Sequence, residues 1–378
     1  MTMRKVFRDD HEMFRDQVRR FVETEIVPHH AQWERDGIVP KSLWLHAGQQ
    51  GLLCITAPEE YGGPGGDFGH SAVLIEELAR VNATAVGFTT HSDIAVPYLV
   101  NYGTDEQKAR WLPRLVTGEL IAVIAMSEPQ IGSDLRGMKT KAVRDGDHYI
   151  LSGQKTFITN GINSGLAIVA AKVEGQANPK DITLFCVEEG TPGFEKGKKL
   201  EKIGLRGQDT SELFFSDVRV PVENMLGQES GGFGCLMTEL AKERLIIGIR
   251  AAASLESMLE KTIAYTKDRV VFGKPLFEFQ NTRFKLAEVK ARSQMLRVFI
   301  DDCLQKLFDG ELTPETAAMA KLTSAELHGQ LLDELLQLHG GYGYMSEYDV
   351  GRAWVDARVA RIYAGTSEIM KEIIARTL

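Results

Sequence analysis

Gln337–Tyr344 reads QLHGGYGY, and Arg361–Ile369 reads RIYAGTSEI. Far upstream, Ala125–Asp134 reads AMSEPQIGSD and Gly153–Gly161 reads GQKTFITNG. Taken singly, each stretch has a simple structural explanation, because a glycine pair commonly ends a helix and the upstream residues suit turns in a β region. Glycine also lets backbone donors approach a phosphate closely, and loops often carry function. The four stretches are therefore the first candidates for a ligand site.

Length and composition exclude several classes of protein. A chain of 378 residues is too long for one small core and predicts two or three domains. A net charge of −8 argues against a nucleic-acid partner, which requires a basic face. No apolar run approaches the ~20 residues of a membrane span. Residues 1–10 lack an apolar core and turn acidic quickly, so we expect no signal peptide.

The four cysteines are scattered, and no two of them have the spacing of metal ligands. They are Cys54, Cys186, Cys235 and Cys303. This pattern predicts reduced cysteines in a cytoplasmic protein without a metal site.

Residues 1–120 have the pattern of helices. Asp9 and Glu12 form a plausible capping box. The apolar residues that follow share one helical face, and Pro28 is expected to end that helix. The apolar residues are Phe14, Val18, Phe21 and Val22.

The pattern changes to short β runs between residues 121 and 234. Asp145-Gly146 is a hairpin signal, because glycine tolerates the positive φ of a tight turn. The β runs cover 148–151, 166–173, 182–187 and 213–215. Their spacing predicts a small barrel or sandwich.

Long helices return from residue 235. The stretch 284–308 is amphipathic and stops at Gly310, while Thr313-Pro314 has the residues of a helix start. Gly340 follows the end of that last helix. The predicted order is therefore mostly α with a central β region.

Together, the four opening stretches resemble the flavin-binding segments of the acyl-CoA dehydrogenases. The resemblance spans nearly the whole chain in the family's order. It implies an N-terminal helical domain over residues 1–120, a middle β-barrel domain over 121–234 and a C-terminal four-helix bundle over 235–378. It further implies FAD, an acyl-CoA substrate, a homotetramer and reoxidation by an electron-transfer flavoprotein. A Rossmann site is not supported, because QLHGGYGY is not a G-x-G-x-x-G motif after a strand.

The resemblance also assigns the residues that hold FAD. Ser127 and Thr159 would supply hydroxyls to the flavin edge, Phe157 would cover one ring face, and Arg269 would reach the pyrophosphate from a neighbouring subunit. Arginine suits phosphate because its planar fork makes two charge-assisted bonds. The full implied set is Met126, Ser127, Phe157, Ile158, Thr159, Arg269, Phe272, Gln280, Gln337, Gly340, Gly341, Thr366 and Glu368.

Glu243 is the implied catalytic base. A Glu-Arg pair on a helix is usually a solvated face. Many family members, however, carry the catalytic glutamate where this chain has Ala364. The long-chain and isovaleryl branches carry it instead on a bundle helix, in a Glu-Arg-Leu setting like that of Glu243-Arg244-Leu245. The implied substrate contacts are Ser133, Arg244, Ala364 and Gly365.

Two other functions remain open at the level of sequence. An acyl-CoA oxidase would use O₂ to reoxidise the flavin, although the chain is short for that group. Alternatively, the missing glutamate at Ala364 could mark a non-catalytic protein that binds FAD and CoA. The sequence does not choose between long, branched and terpenoid acyl groups.

Overall fold

The computed structural model describes residues 4–175, 178 and 181–378. Met1–Met3, part of the segment for which no signal peptide is expected, lie outside the described residues. The first third is helical, and its helices are α1 (Asp9–Phe21), α2 (Val27–Asp36), α3 (Lys41–Gln49), α4 (Phe68–Arg80), α5 (Val96–Tyr102) and α6 (Asp105–Val116). Two π-helical segments, Val22–Ile26 and Thr90–Ala95, lie directly before α2 and α5.

The start and end of the first helix differ from the prediction. α1 begins at Asp9, and the ring of His11 accepts from the backbone N–H of Arg8 at 3.2 Å. The proposed Asp9–Glu12 capping box is therefore wrong by one position. Pro28 does not end the helix, because the π turn before it absorbs the missing hydrogen bond and helical structure continues to Asp36. The predicted apolar face is nevertheless buried at Val18.

The described residues of the middle region form an eight-stranded sheet. Its hydrogen-bonded path runs β6-β7-β3-β2-β4-β5-β8, and β1 pairs with β4 in parallel. The strands are β1 (Ala122–Ala125), β2 (Lys141–Asp145), β3 (His148–Thr159), β4 (Leu166–Val173), β5 (Thr183–Glu188), β6 (Phe194–Lys199), β7 (Thr210–Pro221) and β8 (Met225–Leu226). Gly146 has φ +61° in the predicted β2–β3 turn.

Strand β4 connects the sheet to the helices because both of its faces are buried. Leu166 and Ile168 belong to a large core shared with the helices, whereas Ala167 and Val169 belong to a second core within the sheet. This alternation follows from the two-residue period of a strand. Because β1 pairs with β4, this packing also holds β1 and the loop that follows it against the helical core.

The last third consists of helices joined by one short hairpin. The helices are α7 (Gly232–Asp268), α8 (Gln280–Phe308), α9 (Pro314–His339), α10 (Asp349–Ala357) and α11 (Ser367–Ala375), and the hairpin pairs β9 (Val270–Val271) with β10 (Lys274–Pro275). α9 lies along both α7 and α8, and α4 packs on α7 from the N-terminal part. Thr313 caps α9 by accepting from the N–H of Thr316, as predicted.

The predicted order of helical, β and helical regions is confirmed. In the part of the chain that the structure describes, no helix is both long and apolar enough to cross a bilayer. All four cysteines are free, and three of them are buried.

Candidate active site

A cavity of about 230 Å³ lies where the helical core meets the ends of β1 and β3. Its apolar wall comes from α4, the Thr90–Ala95 segment and α7, through residues such as Ile75, Leu78, Ile94, Leu240 and Ile246. Its polar lining includes Ser127, Thr159, Gln208, Glu243 and Arg250. An apolar pocket with a few convergent polar groups is the usual form of a small-molecule site.

Glu243 is an acidic group in the apolar part of this cavity. It lies on α7 and is only 4% exposed. Burial raises the pKa of Glu243 to about 7, and a hydrogen bond from Tyr98 opposes that rise. The Tyr98 hydroxyl donates to Glu243 Oε1 at 3.1 Å. A carboxyl group with a pKa near 7 can accept and release protons at neutral pH.

Ala364 faces the same cavity from the segment between α10 and α11. Its φ of +52° is a left-handed conformation, uncommon for a residue with a Cβ. Lys321 from α9, which is fully buried, donates to the carbonyl of Gly365 at 2.5 Å. The turn that presents Ala364 is thus held by a buried cation, which sequence inspection missed.

The other three predicted substrate residues, Ser133, Arg244 and Gly365, do not line the cavity. Arg244 is 5% exposed, and burial lowers its pKa. Among the residues that the structure describes, none accepts a hydrogen bond from Arg244 Nε. Ser133 is exposed on the loop after β1. A ligand bound in the cavity can therefore contact Ser133 only through a part that extends out of the cavity.

The predicted flavin residues of the first half meet at the other end of the cavity. Met126, Ser127, Phe157, Ile158 and Thr159 all line it. The pairing of β3 with β7 shifts register between Lys155 and Ile158, which marks a bulge at Phe157. Bulges re-aim side chains next to active sites.

A backbone hydrogen bond connects the loop that follows β1 to the bulge of β3. We call these two segments the flavin loops. Phe157 has φ +59° and is 70% exposed although it borders an apolar cavity. The N–H of Thr156 donates to the carbonyl of Ser127 at 2.9 Å. An exposed aromatic face beside two hydroxyl groups fits the flat, polar-edged ring of a flavin.

Sequence inspection also missed the buried ion pair below these loops. Lys155 donates to the Met126 carbonyl at 3.1 Å and to Glu128 at 2.9 Å. Glu128 in turn accepts from the N–H groups of Lys139 and Thr140. The sequence signal was a lysine at a position of β3 that alternates with the buried residues Tyr149 and Leu151.

The predicted cofactor residues of the second half form a separate group at the far ends of α7 and α9. The Arg269 guanidinium lies 5.6 Å from the centre of the Tyr342 ring, next to Gly340 and Gly341 in sequence. A Cβ at either glycine would meet no atom within 4 Å, so the backbone there is open to a ligand. Phe272, Gln280 and Gln337 are exposed near the same ends. None of this group lines the cavity.

Thr366 and Glu368 have a local structural role. Thr366 is the N-cap of α11 and accepts from the N–H of Ile369 at 3.3 Å. Glu368 lies in the first helical turn, where a negative charge is favourable. The α11 start follows Ala364 and Gly365 directly, so the cap fixes where the cavity wall ends.

Asp10, His11 and His70 place three possible metal-ligand atoms within 4.8 Å of one another, in the part of the chain that the structure describes. Their side chains already have partners, since Arg8 pairs with Asp10 and Asp67 bonds to both histidines. The expectation that the chain has no metal site stays a prediction.

Three family models match the chain in order. "Acyl-CoA dehydrogenase, N-terminal domain" matches residues 8–119, the middle-domain model matches 123–218 and the C-terminal-domain model matches 230–378.

Individual relatives agree with these models. The long-chain specific acyl-CoA dehydrogenase, mitochondrial, of Sus scrofa is 48% identical over 378 residues, which is 100% of this chain and 88% of the relative. A crystal structure of an acyl-CoA dehydrogenase from Geobacillus kaustophilus has a TM-score of 0.97 and 48% identity, covering 99% of both chains. A Bacillus anthracis acyl-CoA dehydrogenase complexed with FAD has a TM-score of 0.91 and 30% identity, covering 98% of this chain and 68% of that one.

Proposed function

The chain belongs to the acyl-CoA dehydrogenase family, and from that premise we propose that Glu243 removes the α proton of an acyl-CoA thioester to give the trans-2-enoyl-CoA. The family's members are oxidoreductases, and the cofactor is FAD. The proposal concerns which residues of this chain perform the reaction and on which substrate.

One observation carries the assignment of the base. Glu243 projects into the cavity from a buried position with its pKa raised to about 7, whereas Ala364 on the opposite element is not acidic. A carboxylate in an apolar pocket is a stronger base than one in water because burial disfavours its charged form. Closing an acyl chain over Glu243 would remove remaining water and strengthen it further.

The chemistry requires two groups to leave adjacent carbons. Glu243 takes the proton from the α carbon, and two electrons leave the β carbon with its hydrogen as a hydride. FAD, when bound, supplies the acceptor of that hydride at flavin N5. The α proton is weakly acidic, so donors must hold the thioester oxygen where negative charge develops. We propose the backbone N–H of Ala364 as one such donor, and FAD would supply a second through a ribityl hydroxyl.

The other residues take binding roles in this proposal. Ser133, Arg244 and Gly365 contact the acyl-CoA, and Ser127, Thr159 and Phe157 contact the flavin ring, supported by Met126 and Ile158. Thr366 and Glu368 complete the cofactor side.

We further propose that the enzyme is a homotetramer with FAD sites shared between subunits. The support is the separate position of Arg269, Phe272, Gln280 and the Gln337–Gly341 segment, which lie outside the cavity that the flavin loops line. Phe272 contacts the ring of Phe279 edge-on, at 6.3 Å between ring centres, yet it is 97% exposed, which is unfavourable for an aromatic ring. A neighbouring subunit's cofactor would cover it.

Three broader expectations complete the proposal. The N-terminal domain ends at residue 120, the middle domain covers residues 121–234, and the C-terminal domain begins at residue 235. An electron-transfer flavoprotein reoxidises the enzyme. The free cysteines favour a reducing compartment such as the cytoplasm, although the Sus scrofa relative is named mitochondrial.

Anaerobic titration of the FAD-loaded protein with saturated acyl-CoAs of increasing length tests the function. We expect loss of the flavin's visible absorbance with long or branched chains, and slow return of colour in air. Fast return would indicate an oxidase instead, and no loss with any acyl-CoA would indicate a non-catalytic binding protein.

Glu243→Gln tests the base in the same assay. Glutamine keeps the size but cannot accept the proton, so the reduction rate should fall by roughly a thousandfold or more while FAD stays bound. Glu239→Gln is the matched control, because Glu239 lies one turn away on α7, is equally buried and does not line the cavity. A Glu243→Gln variant with more than a tenth of the wild-type rate would refute the assignment.

A further inference from the structure

Helix α5 presents three hydrogen-bond donors to two carboxylates of α7. Tyr98, Asn101 and Tyr102 have the i, i+3, i+4 spacing of one helical face. Tyr98 donates to Glu243 Oε1 at 3.1 Å, whereas Asn101 and Tyr102 both donate to Glu239 Oε1, at 2.7 and 3.1 Å. The donors are therefore divided between the carboxylate in the cavity and its neighbour one turn away.

The bond from Tyr98 is fully enclosed. Tyr98 is 0% exposed, so its hydroxyl is closed to bulk solvent. Among the described residues, no donor is found for the second oxygen of Glu243, Oε2. One oxygen is thus held and the other is left for a proton from a ligand in the cavity.

We propose that Tyr98 is a positioning residue of the reaction: its hydroxyl holds Glu243 Oε1 so that Oε2 is aimed at the substrate α carbon. This inference rests on the proposed function, in which Glu243 is the base. A hydrogen bond from a hydroxyl to a carboxylate also favours the ionised form, which is the form that accepts the proton. Tyr98 therefore keeps a buried acid ionised as well as oriented.

Tyr98 lowers the pKa of Glu243 more than either of the nearby cations does. Burial is the largest influence on the pKa of Glu243 and raises it, Glu239 raises it as well, and Lys242 and Arg244 lower it. The Thr90–Ala95 segment contributes the buried Asp93, and α9 contributes Lys321 beside Arg244. Tyr98 is the hydrogen-bond donor to Glu243 among the described residues, so its removal leaves only the smaller effects of Lys242 and Arg244 to oppose that of burial.

Tyr98→Phe in the FAD-loaded enzyme tests the proposal, with the rate of anaerobic flavin reduction measured from about pH 5.5 to pH 9. The acidic limb of the pH–rate profile should move to higher pH by about one unit, because the loss of a single charge-assisted hydrogen bond corresponds to a pKa change of about one unit. The rate at pH 6 should fall about tenfold, and the high-pH plateau should fall only a few-fold.

Tyr102→Phe is the matched control, since it removes a hydroxyl from the same helix that serves Glu239 instead. We expect its acidic limb to stay in place. A purely structural role for Tyr98 would lower the FAD content or the plateau of Tyr98→Phe without moving its acidic limb. If Tyr98→Phe holds FAD poorly, 3-fluorotyrosine at position 98 preserves the packing and strengthens the donor, and should move the limb to lower pH.

Two outcomes would overturn the proposal: an unmoved limb in the Tyr98 variants, or an equal shift in Tyr102→Phe. These outcomes differ from a failure of the proposed function. In that case Glu243→Gln would still be reduced rapidly, and the acidic limb would persist in that variant.

Discussion

Lys155 Nζ lies 2.9 Å from Glu128 Oε1 and 3.1 Å from the Met126 carbonyl, directly below the loops that line the cavity. Both side chains are almost fully buried. Burial lowers the pKa of Lys155 to about 8, and the Glu128 carboxylate opposes that fall. The pair joins two motifs that are separate in sequence, so the shape of the proposed flavin site depends on it.

Lys155→Met should therefore weaken FAD retention and lower the thermal midpoint of the holoenzyme. Removing one partner of a buried pair leaves an uncompensated charge, which typically costs ~3–5 kcal/mol. The measurement is FAD released on dilution together with the melting temperature, against Lys141→Met on the exposed face of β2 as the control. Wild-type FAD retention in Lys155→Met would show that the loops keep their shape without the pair.

The pH dependence of flavin reduction should report the raised pKa of Glu243. The base must be ionised to accept a proton, and burial raises its pKa to about 7. The reduction rate should thus be level at higher pH and fall about tenfold per unit below about pH 7. Stopped-flow reduction at saturating acyl-CoA checks this, and a rate that is constant down to pH 5 would contradict it.

The raised pKa of Glu243 also affects the stability of the fold, and stability changes with pH in the opposite direction to the reduction rate. Between the ordinary pKa of a glutamate and about 7, the folded protein holds a proton that the unfolded chain has released. The contribution of Glu243 to stability is therefore present at low pH and lost as pH rises through that window. Glu243→Gln removes this loss, so its melting temperature relative to wild type should increase from pH 5 to pH 8. Glu239→Gln supplies the control series.

Arg269→Ala tests the shared cofactor sites. If Arg269 binds the pyrophosphate of a neighbour's FAD, its loss should reduce FAD content and loosen the assembly together. Sizing chromatography and the ratio of flavin to protein are the measurements, with Arg219→Ala as a control because Arg219 is an exposed arginine paired with Asp145 on the sheet. A monomer that retains full FAD would contradict the tetramer proposal.

The fold could be predicted from the sequence because the local signals for turns and caps agree with the pattern of buried apolar residues. The Asp145-Gly146 turn, the Thr313 cap and the apolar run of β4 each predict an element that the structure contains. Pro28 misled because a π turn compensates for proline, and nothing local in the sequence encodes that turn.

The candidate site was predictable only in part, for a related reason. Motifs identify residues that contact a cofactor or substrate, and Ser127, Phe157, Glu243 and Ala364 do line one cavity. Tyr98 lies 145 residues from its partner, and its role depends on how α5 packs against α7. Such partners carry no local pattern, so they appear only when the tertiary contacts are known.

Exchanging the base between its two possible positions is the sharpest test of the active site. Glu243 and Ala364 line one cavity from different elements, so a carboxylate at either position should reach the same α carbon. Glu243→Ala with Ala364→Glu should recover part of the reduction rate that Glu243→Ala loses. Recovery should be incomplete, because the new carboxylate has no counterpart of Tyr98 and a misplacement near 1 Å can cost about a hundredfold.

The preference of the double variant should also move to shorter or unbranched acyl chains, since a glutamate at 364 takes space beside the thioester. The measurement is the reduction rate of both variants across a chain-length series. A folded, FAD-bound double variant no faster than Glu243→Ala with any substrate would show that the two positions do not share a target.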